Sequence, residues 1–121
     1  MVAEAKPVGE KRYRESYGRY LDLLADEMAG ITGLMTLPDA LCRKRRTKSH
    51  ENMSRAERFA NMADAIGFRP QYKASLSGRK IMLVDDVMTS GATLAACSEA
   101  LHLAGADQVF VTVLARVAKS P

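Results

Sequence analysis

The block from Lys80 to Thr93 constrains this chain more than any other stretch. After its first lysine, Lys80 to Val84 is continuously apolar, the pattern of a strand buried on both faces of a parallel sheet. It runs directly into Asp85 and Asp86, then into the small, hydroxyl-rich MTSGAT of residues 88 to 93. Ala92 to Ala104 follows as a predicted helix, with Leu94, Cys97, Leu101 and Ala104 on one side and Gly105 at its end. Gln108 to Val117 (QVFVTVLARV) is rich in β-branched residues and predicts the last strand. Strand, helix and strand joined by a short turn form a right-handed βαβ unit. The fold class that follows is α/β, a mostly parallel sheet flanked by helices on both faces.

The remaining segments are read against that unit. From Arg12 to Met28 the apolar positions Tyr13, Tyr17, Tyr20, Leu21, Leu24, Ala25 and Met28 recur every three or four residues, with Gly30 as the stop signal. Gly33 to Cys42 predicts a brief strand whose second half, interrupted by Pro38, is a loop or an edge. Residues 43 to 48 (RKRRTK) are basic at all but Thr47 and lack apolar periodicity, so residues 43 to 53 are expected to form a mobile basic loop. Ser54 and Glu57 have the spacing of a capping box that starts a helix at Arg55. Its expected apolar stripe is Ala56, Phe59, Ala60, Ala63 and Ile66; Gly67 and Pro70 end it, and residues 67 to 79 are connection.

A length of 121 residues with 47% hydrophobic content suits one domain over residues 1 to 121. Within it, residues 1 to 11 are expected to be disordered or the remnant of a strand. No apolar run approaches the ~18–20 residues of a membrane-spanning helix, and the mixed charges at the start give no secretory signal. A cytoplasmic location is therefore expected. A net charge of +4 favours phosphate ligands without choosing between a metabolite and a polymer. Cys42 and Cys97 form no CxxC and read as reduced thiols, and the absence of Trp argues against a base-stacking surface.

Chemistry concentrates after the buried strand. Ligands of open parallel sheets collect beyond the carboxyl ends of strands. Two adjacent acids there repel each other and need compensation from ligand hydroxyls, a magnesium ion or nearby lysines. Gly91 can adopt backbone angles that other residues resist, and the helix behind it begins with unpaired amides that suit a phosphate. The pattern reads as acids for a sugar followed by amides for its phosphate. His50 is weighed as a phosphate donor against an exposed histidine without a role, and His102 reads as structural. Arg58 and Asn61 are placed on the polar side of their helix, where capping, solvent or loop anchoring explains them as well as ligand contact does.

The thirteen residues IMLVDDVMTSGAT (81 to 93) closely resemble the phosphoribosyl pyrophosphate (PRPP) signature of type I phosphoribosyltransferases. That resemblance implies that Asp85 and Asp86, as the catalytic pair, hold the ribose 2′ and 3′ hydroxyls. Met88, Thr89, Ser90, Gly91, Ala92 and Thr93 would cradle the 5′-phosphate. Magnesium would be held through the pyrophosphate and ribose hydroxyls rather than by a dedicated ligand set. Arg43, Lys44, Arg45 and Arg46 would close over the pyrophosphate, where the planar guanidinium fork pairs two oxygens at once.

The chain is further similar to the ComF branch of these proteins through Arg43, Arg45 and Thr47, then Glu57, Arg58 and Asn61, and through the ending AGADQVFVTVLARV. His50 stands where that branch has Gln. Two departures accompany the likeness: the first strand is expected to be degenerate or missing, and the branch's cysteine-rich zinc segment is absent from this sequence. The implied function is PRPP and magnesium binding, with transfer of the phosphoribosyl group to a nitrogen nucleophile, and a homodimer is compatible with it. Two alternatives are a non-catalytic PRPP- or nucleotide-sensing module in competence and a basic nucleic-acid-binding module. A response-regulator receiver also ends a strand in two acids, but the 35 residues after Asp86 are too few for its remaining parts.

Overall fold

The computed structural model describes residues 1–5, 23–37, 39–88 and 90–116, with the side chains of Asp86 and Val87 outside that description. Four strands form a wholly parallel sheet in the order β2-β1-β5-β6: β1 (Val2–Glu4), β2 (Thr36–Leu37), β5 (Lys80–Met88) and β6 (Gln108–Arg116). Two further strands, β3 (Leu41–Arg43) and β4 (Ile66–Phe68), pair antiparallel with Cys42 opposite Gly67. The helices are α1 (residues 23–32), α2 (Arg55–Met62), α3 (Lys73–Leu76) and α4 (Ala92–Leu103), with a 3₁₀ turn at Pro70–Tyr72.

Alternation along β5 decides which helix covers which face. Ile81 and Leu83 point into a core with Leu94, Cys97 and Leu101 of α4, joined by Leu41, Met62, Ile66 and Leu76. On the opposite face Val84 and Val2 pack with Ala25, and Leu24 and Met28 of α1 lie against them. Helices therefore lie on both faces, as the all-apolar strand requires. The α4 crossover joins parallel β5 and β6, and the expected face of Leu94, Cys97 and Leu101 is the one that is buried.

Several expectations are corrected. The first strand is not missing: β1 is three residues long, as a remnant strand would be, but it lies between β2 and β5, and Val2, Ala3 and Glu4 are each at most 2% exposed. It is short, and it precedes the KPVGE stretch searched for it; residues 6–11 lie outside the described ones. α1 runs through Gly30 to residue 32 and stops at Gly33, whose amide donates to the Ala29 carbonyl. Isolated glycine in a helix costs only about 1 kcal/mol, which packing of Leu24, Ala25 and Met28 offsets. The segment read as one brief strand around Pro38 holds parts of two, β2 and β3, in different sheets.

The stripe expected on α2 is wrong. Ala56, Phe59, Ala60 and Ala63 are exposed, whereas Met62 and Ala65 are buried and Arg58 and Asn61 are half-buried. The helix ends at Met62, and Ile66 belongs to β4. The connection after Gly67 is not featureless, because α3 buries Leu76 completely. Finally, β5 does not stop at Val84. It continues through both acids to Met88, with Asp85 paired to Val113 of β6.

Candidate functional site

β5 carries its ladder past the buried core, so Asp85 is fixed by strand pairing rather than by a loop. Its side chain is 8% exposed. Immediately beyond β5 the chain turns into α4 through Gly91, whose φ of +82° is in the left-handed region, a cost that glycine alone avoids. Gly91 supplies no side-chain cap; the Ser90 hydroxyl accepts from the Ala92 amide at 3.3 Å. The other first-turn amides are the unpaired donors that any helix start presents.

Asp85, Met88, Ser90, Gly91, Ala92, Thr93 and Leu94 line one concave space of about 40 Å³. A single water occupies ~10–15 Å³ on such a measure, so the hollow admits a phosphate-sized group with the remainder of a larger ligand outside. The structure thus gathers most of the residues singled out around the acids. Thr89 lies outside the described residues, as does the Asp86 side chain. Leu94 joins the lining without having been anticipated, because its core role masks the fact that it sits in the first turn.

Beneath the hollow, Cys97 is fully buried, and burial with the nearby Asp85 charge pushes its thiol up to about 12. Arg43 acts on the same thiol in the opposite sense, which places β3 within electrostatic reach of this side of α4.

The basic loop is organised by α2. Arg45 donates to the Asn61 and Ala63 carbonyls at 2.8 and 2.5 Å, neutralising the negative end of that helix. Asn61 in turn holds the Lys48 backbone, accepting from its amide at 3.0 Å and donating to its carbonyl at 2.9 Å. Lys44 reaches Asp64 at 2.9 Å, and the ammonium holds that carboxyl below its usual range. The Lys44 stem crosses Gly67 so closely that a Cβ there would stand 2.7 Å from it. Arg43 donates to the Thr47 hydroxyl, and Arg46 is exposed.

His50 is half-buried, and burial together with the Arg58 and Arg43 charges lowers its pKa, keeping the imidazole neutral at pH 7. Arg58 and Asn61, expected on the polar side of their helix with loop anchoring among their readings, are half-buried, and Asn61 anchors this loop. The spacing of 58, 61, 62 and 65 is as helical as the apolar stripe, but polar residues on a buried face are invisible to hydropathy.

Among the described residues no group of three or more His, Cys, Asp or Glu side chains could cage a metal ion. Asp85 is the described carboxylate at the hollow, and magnesium commonly binds one or two carboxylates together with substrate phosphates.

The phosphoribosyl transferase domain family matches residues 21–121. The chain is also similar to Competence protein F of Haemophilus influenzae, at 28% identity over 106 residues. That alignment covers 88% of this chain and 45% of the relative, so the chain spans less than half of the curated protein it matches.

Proposed function

The chain belongs to the phosphoribosyl transferase domain family, and from that premise we propose that it binds PRPP with magnesium at the hollow between Asp85 and the start of α4. The observation carrying this reading is the shared lining of one phosphate-sized space by a buried acid held in the β5 ladder and a left-handed glycine turn. The 5′-phosphate lies against the turn and the first-turn amides of α4, where the helix dipole favours negative charge. Asp85 and Asp86 accept hydrogen bonds from the ribose 2′ and 3′ hydroxyls, and that contact relieves their mutual repulsion.

The reaction is displacement at the ribose anomeric carbon. A nitrogen nucleophile forms the new carbon–nitrogen bond while the carbon–oxygen bond breaks, and pyrophosphate leaves with that electron pair. Positive charge develops on the ribose ring, and fixed carboxylates nearby stabilise it. Bound magnesium supplies neutralisation of the pyrophosphate charge. The likeness to Competence protein F supports placing this chemistry in competence. Engagement of Lys44 and Arg45 by α2 and Asp64 counts against the basic loop as a nucleic-acid surface, which needs its cations free for phosphates.

Calorimetric titration with Mg-PRPP tests the reading. The protein is expected to bind, and an Asp85→Asn, Asp86→Asn double variant to bind at least about tenfold more weakly, as loss of charged hydrogen bonds implies. Equal affinities would remove the acids from the site. Pyrophosphate release with a panel of bases and amines then separates transferase from sensor, since a sensor binds without turnover.

A further inference from the structure

The last strand leaves one side of the sheet open. β6 stands at the edge of the order β2-β1-β5-β6, its ladder to β5 running from Gln108 to Arg116, and among the described residues no strand lies on its other side. Natural edge strands carry charges, proline or a bulge that discourage a further strand. Between Gln108 and Arg116 this one carries neither charge nor proline: VFVTVLA is apolar at every position but Thr112 and rich in β-branched residues.

Both faces of the edge show apolar side chains. Phe110 pairs with Met82, which packs on the α1 face, and alternation puts Thr112 and Leu114 on that face too. Phe110 is 53% exposed and Leu114 55%, so this end of the layer is uncovered. On the opposite face Val109 and Val113 lean on the α4 core, while Val111 between them is 48% exposed. Apolar side chains above and below an open ladder suit another strand rather than a small ligand.

The order of residues selects the strand. An antiparallel second copy of β6 centred on Thr112 sets Phe110 opposite Leu114 of the copy, Val111 opposite Val113 and Thr112 opposite itself, each pair on one face. Every exposed apolar side chain then meets another. Asp107 precedes the strand and Arg116 ends it, so the same pairing brings the acidic end of one copy beside the basic end of the other, whereas a parallel copy sets like charges together. Met88, which lines the hollow, pairs with Arg116 at one end of β6, so the two hollows open at opposite ends of the joined sheet.

We propose that β6 is the surface through which the chain pairs with a second copy of itself, antiparallel about Thr112, to form one continuous sheet. This goes beyond the PRPP reading and does not depend on it.

Sedimentation equilibrium of the whole chain from about 1 to 100 μM tests it, the range in which a micromolar contact is read directly. The wild type is expected to dimerise. Leu114→Lys sets an ammonium against Phe110 of the copy and is expected to weaken the dimer by at least about tenfold, while Leu103→Lys, at an exposed apolar position on α4, changes it by less than about twofold. The register has its own readout. Phe110→Glu combined with Leu114→Lys places opposite charges across both contacts and should recover much of the loss, whereas Phe110→Lys combined with Leu114→Lys should not. A wild type that stays monomeric at the top of the range overturns the proposal and leaves the edge to another segment or another protein. So does a dimer that Leu103→Lys dissolves and Leu114→Lys leaves intact, or a failure of the opposite-charge variant to associate better than the like-charge one.

Discussion

Gly91 and the ionisable groups around α4 and the basic loop carry the sharpest residue-scale consequences. At φ +82° any side chain is strained, although a Cβ would meet only Met88 Sδ at 3.9 Å. Gly91→Ala is therefore expected to cost about 1–2 kcal/mol from backbone conformation rather than crowding, read as a shift in the denaturant midpoint, and to weaken Mg-PRPP binding. Cys97, raised to about 12, stays a thiol in the fold while the unfolded chain ionises near its ordinary value of 9.0. The native state then holds more protons above pH 9, so stability should fall as pH rises from there. Native protein should also resist alkylation at Cys97 while the less buried Cys42 reacts. His50 works with the opposite slope. Its folded pKa lies below 6.5, so the unfolded state binds the proton first. Its contribution is complete above pH 6.5 and is lost as pH falls through that value toward the folded pKa; His50→Gln should flatten the stability profile in that window.

At the scale of elements, α2 shows how one motif was legible and its orientation was not. Ser54 and Glu57 form the capping box, with reciprocal hydrogen bonds of 3.1 and 3.2 Å, and these bonds hold the Glu57 carboxyl below its usual range. Local bonding of this kind depends only on spacing, which is why the start at Arg55 was readable. Ser54→Ala is expected to cost about 1 kcal/mol, seen as a lower denaturant midpoint with an unchanged slope. The buried face depends on what lies opposite. The loop carbonyls and amides at Lys48 select Asn61, and Arg58 follows one turn away, so small apolar residues such as Ala56 and Ala60 face water instead. Acids in mid-ladder have a similar origin: β5 runs on beyond Val84 because β6 supplies partners as far as Arg116.

Across the whole molecule, stability concentrates where β5 meets α4. Leu101 is fully buried against a core that draws on α4, the parallel sheet and the β3–β4 pair. Leu101→Ala should cost about 2–5 kcal/mol, the range for large-to-small changes at closed sites, measurable in urea. The phosphate turn rides on that same helix, so binding and folding are coupled: Mg-PRPP should raise the midpoint of the wild type, and at the same concentration should raise that of the Asp85→Asn, Asp86→Asn variant by less. The similarity of a long segment to Competence protein F fits this arrangement, in which one compact core carries both the turn and the loop.

The chain by itself determined what local rules reach: the buried strand before the acids, the glycine turn, the α4 face and the capping box. Each depends on neighbours within a few positions, where periodicity and hydrogen-bonding geometry act directly. Only the tertiary structure decided that Val2–Glu4 is a central strand, since three residues carry too little pattern until β2 and β5 flank them. It also decided that Arg58 and Asn61 turn inward, because a polar face is buried only when a partner across the fold satisfies it.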